Sequence, residues 1–495
     1  MKKVKIIVVV SLIAIFTLII TLKVASIEDR NKAITLHEAF EIAYKEAKNW
    51  EEKAELFSMT SVDNEGMTVE DDGHDGRRRF WNFIFVVPEE EKQLIISIHD
   101  KKVINSLSEK GAALSTFIKR EEMLMTSKEA VDKAIKDFKV NPGNGGWAGG
   151  YHFTLDKQDN VAKLSVVCLD KEGYFSNISF DASTKELISG LHKIPEGGGI
   201  IKNKSYMKLD KNNQISGIGI YMSPNFENDN IMIASYIVNP YKSNMLLRTS
   251  ITMDNGITWR DFNVNENFSN INFSDNFSID KTIYAVSGKS LIKTTNYGLE
   301  WENVFTAKSE IMNMSIYKEQ ILLNCTELVY LSKDNGLSWN ELKIPSQVIT
   351  ETFDDNGNIY IYSNNKLFKE YDNSWREIEV LFPDNIRGVK FDENNLIYYS
   401  EDNIGLINLQ NNMLTVIDSL EGVENVFLAK DNMLYYLSNN KSLIKLTKNN
   451  NEWISEKIDI DIKGKLLDLN IKESTGDIYL SVGSEVKWEK IEGGR

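Results

Sequence analysis

Four short apolar steps, Ile283-Tyr284, Ile321-Leu322, Ile359-Tyr360 and Ile397-Tyr398, stand 38 residues apart each time. A period held that strictly leaves few architectures open. Ile231-Met232-Ile233, Leu434-Tyr435 and Ile478-Tyr479 extend the series to seven strand-like runs. Repeats of about 40 residues made of several short strands are the mark of propeller blades. One such unit cannot bury its own faces, but a ring of them can. The spacing predicts a mainly β chain whose residues 205–495 form a seven-bladed β-propeller.

A second signal marks the later part of each repeat. Thr252-Met-Asp254-Asn-Gly256-Ile-Thr258-Trp259 and Ser332-Lys-Asp334-Asn-Gly336-Leu-Ser338-Trp339 share one pattern of hydroxyl, carboxylate, glycine, hydroxyl and tryptophan. Thr294-Thr-Asn296-Tyr-Gly298-Leu-Glu300-Trp301 departs from it twice, with Asn for Asp and Glu for the second hydroxyl residue. Trp259, Trp301, Trp339, Trp375, Thr415, Trp453 and Trp488 again make seven positions. The pattern has a physical reading as a hairpin. The Asp accepts hydrogen bonds from turn amides. The Gly supplies a positive φ that a Cβ would resist. The Trp packs its large face between sheets. Asp254, Asn296 and Asp334 are therefore expected to be structural, together with Gly256, Gly298, Gly336 and the three tryptophans. This pattern resembles the BNR, or Asp-box, repeat of a propeller superfamily that includes sialidases and photosystem assembly factors. Ser223-Pro-Asn-Phe226-Glu-Asn-Asp229 and Phe273-Ser-Asp-Asn-Phe277-Ser-Ile-Asp280 look like a step common in bacterial propellers of that type.

Residues 30–192 read as a duplicated α+β region. Thr35-Leu-His-Glu38 and Thr126-Ser-Lys-Glu129 each fit a capping box that opens an amphipathic helix. Strand-like runs follow each helix, at Phe80–Val87 and Leu94–His99, then at Val161–Leu169 and Tyr174–Phe180. Residues 30–105 form one unit; residues 106–192 hold a connecting helix over 106–124 and the second unit. The capped helix with its Glu-Ala step, and the terminal Phe180-Asp181-Ala182-Ser183-Thr184-Lys185, resemble the PepSY family of extracytoplasmic modules. The Gly usual in that turn is replaced by Lys185. The resemblance implies a binding or inhibitory module rather than a catalyst. Glu70-Asp-Asp-Gly-His-Asp75 reads as a solvated loop, since its spacing matches no calcium loop. Asn141–Gly150, with Trp147 inside it, lacks the Lys-Ser/Thr ending of a phosphate loop and reads as a connector. Pro195-Glu-Gly-Gly-Gly199 makes residues 193–204 a Gly-rich linker.

At the N-terminus, Lys2, Lys3 and Lys5 precede an apolar run from Ile6 to Leu22. Its length suits either an uncleaved transmembrane anchor over residues 1–26 or a signal core cleaved near Val24-Ala25-Ser26. The lysines favour a cytoplasmic start, which puts the bulk of the chain outside the membrane. The 495 residues carry 57 Lys+Arg against 72 Asp+Glu, a formal charge of −15, which repels phosphate backbones and argues against nucleic acid as a partner. Two cysteines, Cys168 and Cys325, are too few for a disulfide scaffold or a Cys-based zinc site. No metal or cofactor is expected.

A sialidase-like reading needs three arginines to clamp a carboxylate, because the guanidinium fork pairs with it bidentately. Residues 205–495 offer Arg248, Arg260, Arg376, Arg387 and Arg495, with two on one repeat and one at the last residue. The expectation is a non-catalytic, membrane-anchored binding or scaffold protein, with a protein or cell-wall glycan as partner. The alternative is a glycoside hydrolase acting through a carboxylate pair on the propeller face.

Overall fold

The computed structural model describes residues 32–491, apart from 64–71, 146–147, 263–267, 327, 345–347, 373, 381, 384, 393–394, 418–419, 421, 431–432 and 450–451. The expected anchor over residues 1–26 lies outside the described residues, as do Glu70, Asp71, Trp147 and Arg495. No helix among the described residues is long and apolar enough to cross a membrane. The chain divides into two compact units. One holds residues up to 194 with 241–244 and 486–495; the other holds 195–240 and 245–485.

The first unit runs through one order of elements twice. α1 (Leu36–Trp50) is followed by β1 (Glu55–Ser61), β2 (Phe80–Val86), β3 (Lys92–His99) and β4 (Lys102–Lys110). α2 (Ser127–Phe138) is followed by β5 (His152–Gln158), β6 (Val161–Leu169), β7 (Phe175–Asp181) and β8 (Leu187–Glu196). Both helices start as the local chemistry dictates. The Thr35 and Thr126 hydroxyls accept from the amides of Glu38 and Glu129, and each Glu carboxylate reaches back to the threonine amide. Burying Ala39, Phe40, Ala43 and Ala47 of α1, and Ala130, Val131, Ala134 and Phe138 of α2, gives each helix one apolar face. These faces pack on Met59, Phe83, Phe85, Ile96, Phe153, Leu155, Leu164 and Val166 of one sheet. The sheet order is β4-β3-β2-β1-β5-β6-β7-β8 and then the strand Glu485–Lys490.

Two expectations change here. Residues 106–110 extend β4, and the stretch to 124 holds a single 3-10 turn, Arg120–Glu122, in place of a connecting helix. Strand pairing with β3 overrides the local helical pattern, since every β4 residue from Lys102 to Lys110 has a ladder or bulge position there. Trp488 is not in a blade. It lies on the strand Glu485–Lys490 of this sheet, with the Lys193 ammonium 5.4 Å from its ring centroid.

The second unit consists of seven four-stranded antiparallel sheets. Their first strands are Ile215–Met222, Asn270–Phe273, Ile311–Tyr317, Thr350–Phe353, Gly388–Asp392, Val423–Lys430 and Lys465–Lys472. Each first strand contacts the next, and the last contacts the first, so they form the inner ring of a seven-bladed propeller. The seven apolar runs of the sequence fall on the second strands and pack in the core clusters between blades, all buried except the half-buried Ile478. The seventh blade closes the ring by joining Lys465–Lys472 and Asp477–Gly483 to Gly199–Lys202 and Ser205–Tyr206. Residues 199–202 are therefore a blade strand and not linker. Pairing of Gly199–Lys202 with Tyr479–Val482 ties the start of this unit to its end.

Candidate functional site

The three motif segments fold into the same seven-residue loop between third and fourth strands. In blade one the Asp254 carboxylate accepts from the Thr252 hydroxyl at 2.7 Å, the Thr258 amide at 2.8 Å and the Thr258 hydroxyl at 2.6 Å. The Trp259 indole donates to the Gly256 carbonyl at 3.1 Å. Blade three repeats this with Ser332, Asp334, Ser338, Gly336 and Trp339. Blade two keeps less. Asn296 Oδ1 accepts from Thr294 and from the Glu300 amide, but the buried Trp301 indole N–H has no partner. Each carboxylate is consumed inside its own turn, and burial is outweighed by hydrogen bonds from Thr258 and its neighbours, which lower the Asp254 pKa. The Ser-to-Asp steps also form one device twice. Ser223 donates to Asp229 and Ser274 to Asp280, each closing a turn that buries Phe226 or Phe277.

The inner ring carries features that the repeat pattern does not announce. Four first strands bulge at the same place, between Gly217 and Gly219, Ile311 and Asn313, Val423 and Asn425, and Leu466 and Asp468. A bulge leaves one residue unpaired and re-aims its side chain. The unpaired residues are Ile218, Met312, Glu424 and Leu467, and all four are exposed. Met312 is 64% exposed, an unusual state for an aliphatic side chain on a blade's first strand.

Next to these lies a polar layer. Asn270 donates to Asn313 at 2.5 Å, and Asn324 donates to Glu351 at 3.0 Å. Glu351 is 3% exposed, and its Oε1 has no hydrogen-bond partner. Burial pushes the Glu351 carboxyl up to about 7, against the hydrogen bonds that lower it. Asp468 is also raised by burial, although the Ile220 amide at 3.0 Å and the Leu469 amide at 2.8 Å hold its carboxylate. Sequence reasoning missed both. Their signal was an acidic residue in a short strand otherwise apolar or small, Thr-Glu351-Thr-Phe and Leu-Leu-Asp468-Leu.

The arrangement limits the chemistry. Glu351 and Asp468 belong to blades four and seven, and each is engaged by amides of its own surroundings. The described arginines are also committed elsewhere. Arg248 meets Asp210 and Asp261, Arg260 donates to the Tyr297 carbonyl, Arg387 meets Glu401, and Arg376 lies over the Tyr371 ring. Three of them do not converge as a carboxylate clamp. Among the described residues, no group of three or more His, Cys, Asp or Glu side chains is gathered for a metal ion. In the acidic loop, Asp72 is occupied by the His74 amide and ring.

No family model matches the chain, and no curated protein matches it. Among solved structures the chain is similar to YCF48 from Cyanidioschyzon merolae at 12% identity, covering 58% of this chain and 99% of that one, with a TM-score of 0.42. It is similar to YCF48 bound to D1 peptide at 11% identity, over 58% of this chain and 97% of that one, with a TM-score of 0.41. The WD40 propeller domain of Doa1 is similar at 9% identity, over 61% and 98%, with a TM-score of 0.39. The seven-bladed assignment rests on the sheet order above.

Proposed function

We propose that this chain is a membrane-anchored, outward-facing scaffold without catalytic activity, whose propeller binds a protein partner at the mouth of its inner ring. The observation that carries this reading is the set of bulge residues. Ile218, Met312 and Leu467 expose aliphatic side chains at one register of the innermost strands, where burial against a partner would remove apolar area from water. The motif loops of blades one to three are Asp-box turns in this reading, and serve only to hold the blades. The duplicated α+β unit is a pair of PepSY-like modules that regulates a peptidase or an assembly step.

The test is a capture from the native cell surface with the full chain as bait, beside a variant carrying Ile218→Asp, Met312→Asp and Leu467→Asp. These side chains are exposed, so the variant should fold. A stoichiometric protein held by the parent and lost by the variant supports the scaffold. Turnover of a glycoside substrate by the parent, abolished by Glu351→Gln or Asp468→Asn, would instead establish the hydrolase.

A further inference from the structure

Each blade is a separate sheet, so no backbone ladder joins one blade to the next. Side-chain packing and a few polar ties cross each seam instead. From blade two to blade four these ties form a directed chain. The Asn272 amide donates to the Met314 carbonyl at 2.9 Å and to Asn270 Oδ1 at 3.1 Å. Asn270 donates in turn to Asn313 Oδ1. Asn324, on the second strand of blade three, donates to Glu351 Oε2, and Asn313 lends the same carboxyl a further hydrogen bond. The Ser315 hydroxyl donates to the Glu351 carbonyl at 3.3 Å, across the same seam. Amide N–H groups thus point toward blade four, and the chain ends on a carboxyl.

That end is unfinished. Glu351 Oε1 is shut off from solvent without a hydrogen-bond partner. The surroundings supply amide donors and no opposite charge. Among the described titratable groups on the elements packed around it, only Cys325 of blade three feels the Glu351 charge. Tyr360 of blade four is raised by burial, with Lys369 and Asp354 as its charged neighbours, and Tyr362 by burial alone. Lys390 of blade five acts on Asp468 instead. Tyr317 and Asp354, at the far ends of the two first strands, are engaged by the Asp355 carbonyl and by the Asn356 and Asn358 amides. A buried carboxylate without a counter-charge is costly, whereas the carboxylic acid is not. Burial favours the neutral form and the asparagines favour the charged one, so the group is poised between them.

We propose that Glu351 is a proton-operated catch on the seam between blades three and four. Protonated, it leaves the first strands of the two blades closed on each other. Ionised, it reaches water by parting them, because no ladder hydrogen bond has to break there. The device does not rest on partner binding at the propeller mouth, so either reading stands if the other fails.

The chain carries its own reporter. Both of its cysteines are buried, Cys325 near Glu351 and Cys168 in the other unit. The test labels the full chain with a pyridyl disulfide and reads each cysteine by mass spectrometry. Parent and Glu351→Gln are compared at equal pH, from about 5 to about 8, which cancels the pH dependence of the thiol itself. The parent-to-variant ratio at Cys325 should rise about tenfold per pH unit and level off near 7, because the open form releases a proton that the closed form holds. The ratio at Cys168 should stay flat. Should the variant not fold, the Cys325-to-Cys168 ratio within the parent carries the same rise. Asn324→Leu removes a donor that favours the charged form, so the levelling should move to higher pH, a shift that a merely structural loss does not produce. Labelling of Cys325 should be indifferent to about 1 M urea, since a local opening exposes little surface. A flat Cys325 ratio, a rise shared by Cys168, or a rate that climbs with urea as global unfolding does would overturn the proposal.

Discussion

Blades one and three close their outer hairpin with seven-residue loops held by a carboxylate, and blade two holds the same loop with the Asn296 amide oxygen. Blade four makes the same reversal between Tyr371 and Ser374, with Asp372 at φ 51° and the Ser374 hydroxyl on the Tyr371 carbonyl at 2.7 Å. Blade five uses Asn408, whose Oδ1 accepts the amides of Gln410 and Asn411, and a positive φ at Asn412. Shorter turns set register largely through backbone conformation, and a single side chain, Ser374 or Asn408, completes them. Long loops have more freedom to lose, and internal hydrogen bonds must offset that entropy. The comparison teaches that the motif can erode from blade to blade while the second strand, which packs between blades, keeps its apolar pair.

The largest test of this contrast is Gly298→Ala. Gly298 sits at φ 81°, and a Cβ there would collide with the buried Phe262 ring. Left-handed strain and overpacking together should cost about 4 kcal/mol, read as a lowered urea midpoint. Ala at Gly476, where φ is 70° with nothing within 4 Å, should cost only about 1 kcal/mol.

Next in size is Glu351→Gln in blade four, where no carboxylate closes the outer turn but one is buried near the inner ring. The Glu351 carboxyl is raised from 4.5 to about 7 in the folded chain. The folded state therefore holds a proton that the unfolded state releases between those values. Stability is full below pH 4.5 and falls as pH rises through 7. Near pH 8 the variant should be up to about 3 kcal/mol more stable than the parent, with no gain below pH 4.5. A pH series of unfolding midpoints that leaves the difference flat would refute this.

Asp254→Asn makes blade one resemble blade two. It exchanges a charge-assisted bond with the Thr258 hydroxyl for a weaker one, and should cost about 1 kcal/mol. The smallest effect separates two tryptophans. Trp339→Phe removes a bond to the Gly336 carbonyl, whereas Trp301→Phe removes an N–H that has no partner. The first should be costlier by about 1 kcal/mol, measured by thermal unfolding of the pair.

The blade count was legible because an apolar pair that returns every 37 to 52 residues, and every 38 from Ile283 to Ile397, is a property of the chain itself: the second strands that carry it pack between blades and tolerate little else. The helix starts at Thr35 and Thr126 were legible for the same reason, since a capping box is satisfied within four residues. What lies across long separations was not. Trp488 matched the spacing of a seventh blade, yet Gly199–Lys202 and Ser205–Tyr206 supply that blade's outer strands, because a ring closes most firmly by pairing its two ends. β1 and β5 were missed although β5 forms a local hairpin with β6, and the β1–β5 pairing that joins the duplicated halves is remote in sequence. The bulges at Ile218, Met312, Glu424 and Leu467 leave no motif either, since an extra residue in one strand is defined only against the register of the next. Local patterns thus determined the second strands of the blades and the starts of both long helices. Pairing across the ring and the sheet decided which side chains remain exposed, and the exposed bulge residues make the candidate site.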